Sequence, residues 1–144
     1  TVTAMETLFR LVIAMPPDRL EWSPMGEART ALDQVRECAV TPRIYLHVMN
    51  PQIEGGLAGY AEARVVRSEL RSLEEAEDEA RRGVKMLADY VNQMSDEELA
   101  AEILMPWGLK GTVLEAALMS SWNYTYHLGA INQIQRMYGD VEMH

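Results

Sequence analysis

The stretch "TVLEAALMSSWNYTYHLGAINQIQRMYG", Thr112 to Gly139, decides the fold. Thr112 and Glu115 form a capping box, in which a hydroxyl and a carboxylate satisfy the orphan amides of a helix start. No proline follows, and Gly139 stands where a left-handed C-terminal cap belongs. These signals predict one helix bounded at both ends and running to Tyr138. Along it Asn123, His127, Ala130 and Ile134 recur at four- and three-residue steps, so they share one face. A titratable imidazole therefore sits on a face that also carries Ile134.

Three further helices are predicted upstream. "TVTAMETLFRLVIAM" places Met5, Leu8, Val12 and Met15 on one amphipathic stripe, and Pro16, Pro17, Pro24 and Gly26 then forbid continuation. From Glu27 to about Met49 the residues Ala31, Val35, Cys38 and Ala39 repeat at helical spacing. Ile44, Leu46 and Met49 resume behind Pro42, which predicts a kink rather than a stop. "NPQIEGGLAGY" reads as a flexible link to a third helix that carries Val66, Leu70, Leu73, Ala76, Ala80, Val84, Leu87, Val91 and Met94. That segment is predicted to run unbroken for roughly 45 Å. Ser95 and Glu98 open a short helix with a capping box of their own, and "ILMPWGLKG" allows a short extended piece around Ile103 to Trp107.

The predicted class is all-α: a four-helix bundle forming one domain over residues 1–144. Its links, roughly 11, 14 and 17 residues, exceed those of simple antiparallel neighbours, so at least one crossover is expected. A chain of 144 residues is long enough to bury a core without staples.

Composition removes several functional classes. A net charge of -9 argues against a nucleic-acid partner, because a phosphate backbone is held through Lys and Arg. The single cysteine excludes an intramolecular disulfide and any CxxC motif. No apolar run reaches the ~20 residues of a membrane span, and the first residues lack the pattern of a signal peptide. The expected location is the cytoplasm. Interleaved charges in "RSELRSLEEAEDEARR" read as a solvated helix face.

Of the three histidines, only His127 lies in a long helix among aromatic neighbours. A lone histidine on an apolar face is ordinarily a satisfied core residue, and one imidazole makes no metal site. His47 follows Glu37 by ten residues on the same helix, roughly 15 Å along the axis, so the two cannot address one ion. His144 is expected to be disordered. Trp107, Tyr124 and Ala130 are candidate pocket residues, although aromatic side chains in a bundle are by default core. Cys38 beside Glu37 is expected to be buried and inert, since a carboxylate raises a thiol's pKa. Arg10, Arg43 and Arg136 are candidate anion binders that nothing in the sequence brings together.

"YHLGAINQIQRMYGD" resembles the final-helix signature of the DinB-like family, the DNA-damage-inducible and bacillithiol-transferase-like bundles. That signature commonly reads His-x3-His-x-Gly-Gln-Ile, followed by a turn ending in Gly-Asp. "LEWSPMGEARTALDQVRECA" and "MPWGLKGTVLEAAL" are similar, less distinctively, to the family's second-helix start and to the segment before its last helix. The resemblance implies an up-down-down-up bundle, frequently a homodimer. It also implies a divalent metal, nickel or zinc, held by three histidines in a central cleft and activating a low-molecular-weight thiol.

Carried over by position, only His127 keeps the ligand identity that the resemblance implies. The preceding ligand position falls on Asn123, the second-helix histidine falls on Glu37, and Ala130 replaces the usual glutamine. Asparagine is a weak neutral donor, so the metal is expected to be absent or weakly held. Two functions follow. In one, the bundle has a degenerate metal site and acts as a non-catalytic small-molecule-binding or dimeric interaction protein, with Glu37, Asn123 and His127 in a hydrogen-bonded cluster. The alternative is a divalent-metal-dependent thiol S-transferase or hydrolase using the same three residues.

Overall fold

The structure is a computed structural model and describes residues 1–142 and 144. Helix α1 spans Val2–Ile13 and buries Met5, Leu8, Phe9, Leu11 and Val12. Pro17–Arg19 forms a single 3-10 turn in the link that follows. Trp22 from this link meets Tyr138 edge-on at 6.0 Å, and the Arg19 guanidinium lies over both rings, so the link is pinned to the far end of the chain.

Helix α2 covers Ala31–Met49, starting four residues later than the apolar pattern suggests, because Thr30 is the N-cap and accepts from the Asp33 amide. The helix continues through the buried Pro42. Immediately before the proline, the Thr41 hydroxyl donates to the Glu37 carbonyl at 2.9 Å.

The predicted long third helix is two helices. Helix α3 is Tyr60–Glu69 and helix α4 is Leu73–Val91. Leu70 is extended, with φ -71° and ψ 108°, and Ser72 caps α4 in a full capping box with Glu75. Ser-x-x-Glu inside an apolar repeat is a helix start, and here it outweighs the continuity of the pattern. The start of α3 at Tyr60 also absorbs the end of the segment expected to be flexible.

Helix α5, Asp96–Ala100, is capped by Ser95 and Glu98 as its sequence predicts. The extended piece is one arm of a hairpin, β1 (Glu102–Leu104) pairing antiparallel with β2 (Lys110–Thr112). Gly108 turns the hairpin at φ +84°, a conformation that favours glycine. Helix α6 runs Val113–Met137 with the Thr112/Glu115 capping box, and Gly139 follows at φ +97°.

Helix α2 packs against both α4 and α6, and α1 lies mainly along α6. Residue pairs give the directions. Gln34 meets His127 while Thr41 meets Asn123, so α2 and α6 run opposite ways. Arg36 reaches Arg71 and Arg43 reaches Glu79, so α2 and α4 run the same way. The core joins Leu8, Phe9 and Val12 of α1 to Val35 and Cys38 of α2 and to Tyr124 and Ile131 of α6. Replacing Phe9, which is 1% exposed, with alanine would cost about 3–5 kcal/mol. Among the described residues no helix is long and apolar enough to cross a membrane.

Candidate functional site

Four residues of α2 build one polar ridge. Gln34, Glu37 and Thr41 fall at three- and four-residue steps, and Asp33 precedes them by one. Opposite them on α6 stand His127 and Asn123. His127 is 3% exposed, and its Nδ1 lies 2.9 Å from Gln34 Oε1. Its Nε2 lies 3.1 Å from Glu37 Oε1. Both ring nitrogens thus face acceptors, an arrangement the imidazolium satisfies with two donated bonds. Asn123 Oδ1 lies 3.2 Å from the Thr41 hydroxyl oxygen, whose single proton is shared with the nearer Glu37 carbonyl.

The three predicted site residues are thereby brought onto one facing pair of helices. They are also committed elsewhere. Glu37 Oε2 accepts from Arg29 Nη1 at 2.7 Å and from Arg67 Nη1 at 3.3 Å. Arg29 also binds Asp33 through Nε at 2.6 Å, and Arg67 pairs with the other Asp33 oxygen. The hydrogen bond from His127, opposed by partial burial and assisted by Arg29, holds the Glu37 carboxyl at about 2. For Asp33 burial acts upward, but hydrogen bonds from Arg67 and Arg29 outweigh it and keep the carboxyl below its ordinary value.

This donor set does not fit the three-histidine centre that the resemblance implies. It offers one imidazole aimed at a carboxylate, one carboxylate already neutralised by two guanidiniums, and one amide. A divalent ion there would have to displace Arg29 and Arg67 or bear their repulsion. Among the described residues no group of three or more His, Cys, Asp or Glu side chains is arranged to hold a metal ion.

A cavity of about 520 Å³ opens beside the ridge, between α2, α3, α6 and the hairpin turn. Glu37, Thr41, Asn123 and Arg67 form its polar end. Val40, Ile44, Ala63 and Met119 supply apolar wall. Four aromatic side chains, Tyr45, Tyr60, Trp107 and Trp122, complete it. Burial, reinforced by Tyr60, pushes the Tyr45 hydroxyl up to about 12, so it stays a neutral donor.

Of the candidate pocket residues, Trp107 lines this cavity. Tyr124 does not: it is 0% exposed in the core, its hydroxyl has no partner among the described residues, and burial drives that group well above its ordinary range. Ala130 is half-buried on α6 and lies outside the cavity lining. Aromatic content cannot tell a core ring from a wall ring. The difference lies in tertiary placement: Tyr124 points from α6 into the core, whereas Trp107 stands in the hairpin turn beside the cavity.

Cys38 is fully buried, and burial together with Glu37 raises its thiol far above the ordinary value, so it is no nucleophile. His47 lines a separate cavity with Leu57 and Pro106, and His144 pairs with Asp140 at 2.9 Å. Arg43 is tied to Glu79 at 2.6 Å. The charge run read as a solvated face is not one throughout, since Arg67 enters the site and Glu79 is 4% exposed.

The sequence profile of the DinB superfamily matches residues 1–131. The chain belongs to the DinB superfamily. No curated protein matches it. Within this DinB chain, the ridge of Gln34, Glu37 and Thr41 could have been found from its spacing on α2. Arg29, four residues before Asp33 and eight before Glu37, was equally legible as a ladder. Tyr60 at the end of an apparent link, Arg67 in an apparent solvated charge run and Arg64 between them carry no signal of a site in the sequence.

Proposed function

We propose that this DinB-superfamily bundle is a metal-independent small-molecule-binding protein that holds an apolar or aromatic ligand in the cavity beside α2 and α6. One observation carries the reading. At the family's ligand positions Glu37 is engaged with two guanidiniums and with His127, and Asn123 with Thr41, while an aromatic-walled space of ligand size stands open next to them. Glu37 is a poor general base here, because a carboxyl held at about 2 is too weakly basic at neutral pH. Thr41 and Asn123 at the cavity edge are neutral groups suited to orienting a ligand. The buried free Cys38 fits the reducing cytoplasm.

A homodimer belongs to the same proposal. An unbroken third helix would have offered a partner surface beyond its own bundle, but that segment is divided into α3 and α4. In its place Leu114, Leu118, Trp122 and Tyr126 form an exposed i, i+4 stripe on α6, with Trp122 and Tyr126 stacked at 5.5 Å. Leu104, Trp107 and Leu109 of the hairpin region are exposed as well.

The test is a fluorescence titration with N-phenyl-1-naphthylamine, a neutral aromatic probe. Saturable binding by the wild type, lost in Met119→Trp with an unchanged melt, is the expected result. Met119 is half-buried, so the larger ring fills the cavity without entering the core. Absence of saturable binding, or binding indifferent to Met119→Trp, would overturn the proposal.

A further inference from the structure

A second cavity, lined by Asp33, Arg36, Arg64, Arg67 and Ser68, shares Arg64 and Arg67 with the first. Its charges do not cancel. Around the ridge, Arg29 and Arg67 are each paired with both Asp33 and Glu37, so two guanidiniums neutralise two carboxylates. Arg36 and Arg64 remain. Among the described residues neither has a carboxylate partner. Arg36 spends one N–H on the Arg71 carbonyl at 3.1 Å, and its Nε is buried with no acceptor.

A buried guanidinium N–H without an acceptor costs stability, and the Arg36 side chain lines the cavity beside Arg64. Two unneutralised arginines in one concavity are also unexpected in a chain of net charge -9, where acidic partners are plentiful. Guanidinium is the side chain suited to planar, two-point recognition of a carboxylate or phosphate.

The geometry points to an anion subsite at Arg36 and Arg64, so that the ligand of the larger cavity is amphipathic: an apolar or aromatic body among Ile44, Met119 and Trp122, ending in a carboxylate or phosphate group. This rests on the small-molecule reading above and specifies its ligand class. Arg67, fixed by Asp33 and Glu37, stands at the junction of the two spaces and guides the chain between them. Ser68 adds a hydroxyl at the rim, although its hydrogen bond to the Val65 carbonyl at 2.7 Å already uses its proton.

Displacement of N-phenyl-1-naphthylamine by octanoate, octyl phosphate and 1-octanol tests the subsite, because the three share a body and differ in head group. At least one anion should displace the probe at about a tenth of the concentration that the alcohol requires. Whichever of the two does so better identifies the head group as carboxylate or phosphate. Arg36→Gln, which lies outside the larger cavity, should remove most of that advantage while leaving probe affinity and 1-octanol displacement unchanged, and Arg64→Gln should lower the anion preference as well. Equal displacement by all three, or variants that weaken alcohol and anions alike, would overturn the subsite.

A second arm does not need the large cavity. Inorganic phosphate, against chloride at matched ionic strength, should raise the melting temperature of the wild type but not of Arg36→Gln or Arg64→Gln. If the naphthylamine fails to bind yet phosphate still stabilises through these arginines, the cavity reading is lost and the anion site stands. If the naphthylamine binds but the melts and the anion preference show nothing, the subsite alone is lost.

Discussion

At the scale of single residues, His127 and Glu37 form the pair on which the polar centre depends. Removing the buried imidazole leaves Gln34 Oε1 and Glu37 Oε1 each short of a donor and opens a void. His127→Ala should therefore cost about 2–4 kcal/mol, read from urea unfolding near neutral pH. Glu37 gives a pH-dependent counterpart. Its folded value of about 2 lies below the ordinary 4.5, so the stability it contributes is fully present above the ordinary value and is lost as pH falls between the two. The Glu37 side chain is 32% exposed, which screens the effect. From about pH 6 to about pH 3 the wild type should lose on the order of 1 kcal/mol more than Glu37→Gln. Parallel acid limbs for the two proteins would refute the network as the cause.

Two helical glycines separate local propensity from packing at the scale of elements. Gly129 on α6 has open space where a Cβ would stand, so Gly129→Ala should stabilise by about 0.5–1 kcal/mol. Gly83 on α4 is different. A Cβ there would lie 3.2 Å from Pro42 Cβ and 3.4 Å from Arg43 Cγ, and the proline ring cannot rotate away. Gly83→Ala should bring none of that gain, and paired thermal melts would show the two substitutions moving apart. The break between α3 and α4 depends on Ser72. Ser72→Ala should cost about 1 kcal/mol, measurable as a lowered urea midpoint with an unchanged slope.

For the whole molecule, the donor set predicts indifference to metal. Nickel, zinc or a chelator should leave the melting temperature where it is, and a rise with nickel or zinc that disappears in His127→Ala would restore the thiol-transferase alternative. Assembly has its own measurement. Sedimentation velocity should show a dimer that Leu118→Glu converts to monomer, because a carboxylate in the middle of the α6 stripe would have to be desolvated at the interface. A wild type that sediments as a monomer at every concentration would remove the dimer.

Much of this protein is local in origin, and its sequence determined that part alone. The helical class, the bounds of α6 and the caps at Ser95 and Thr112 follow from periodicity and capping chemistry, which act within a few residues. Gln34, Glu37, Asn123 and His127 were likewise bound to share faces. Only the tertiary structure decided what those faces meet. It laid α3, separated from α4 by the local capping signal at Ser72, along the cavity with Arg64 in the lining and Arg67 on the ridge. It also placed Tyr124 in the core and Trp107 in the wall, a distinction composition cannot make. The charge balance at the site was set the same way. A carboxylate's partners come from helices far apart in the chain, and whether Glu37 faces an ion or two guanidiniums depends on packing that no local pattern encodes.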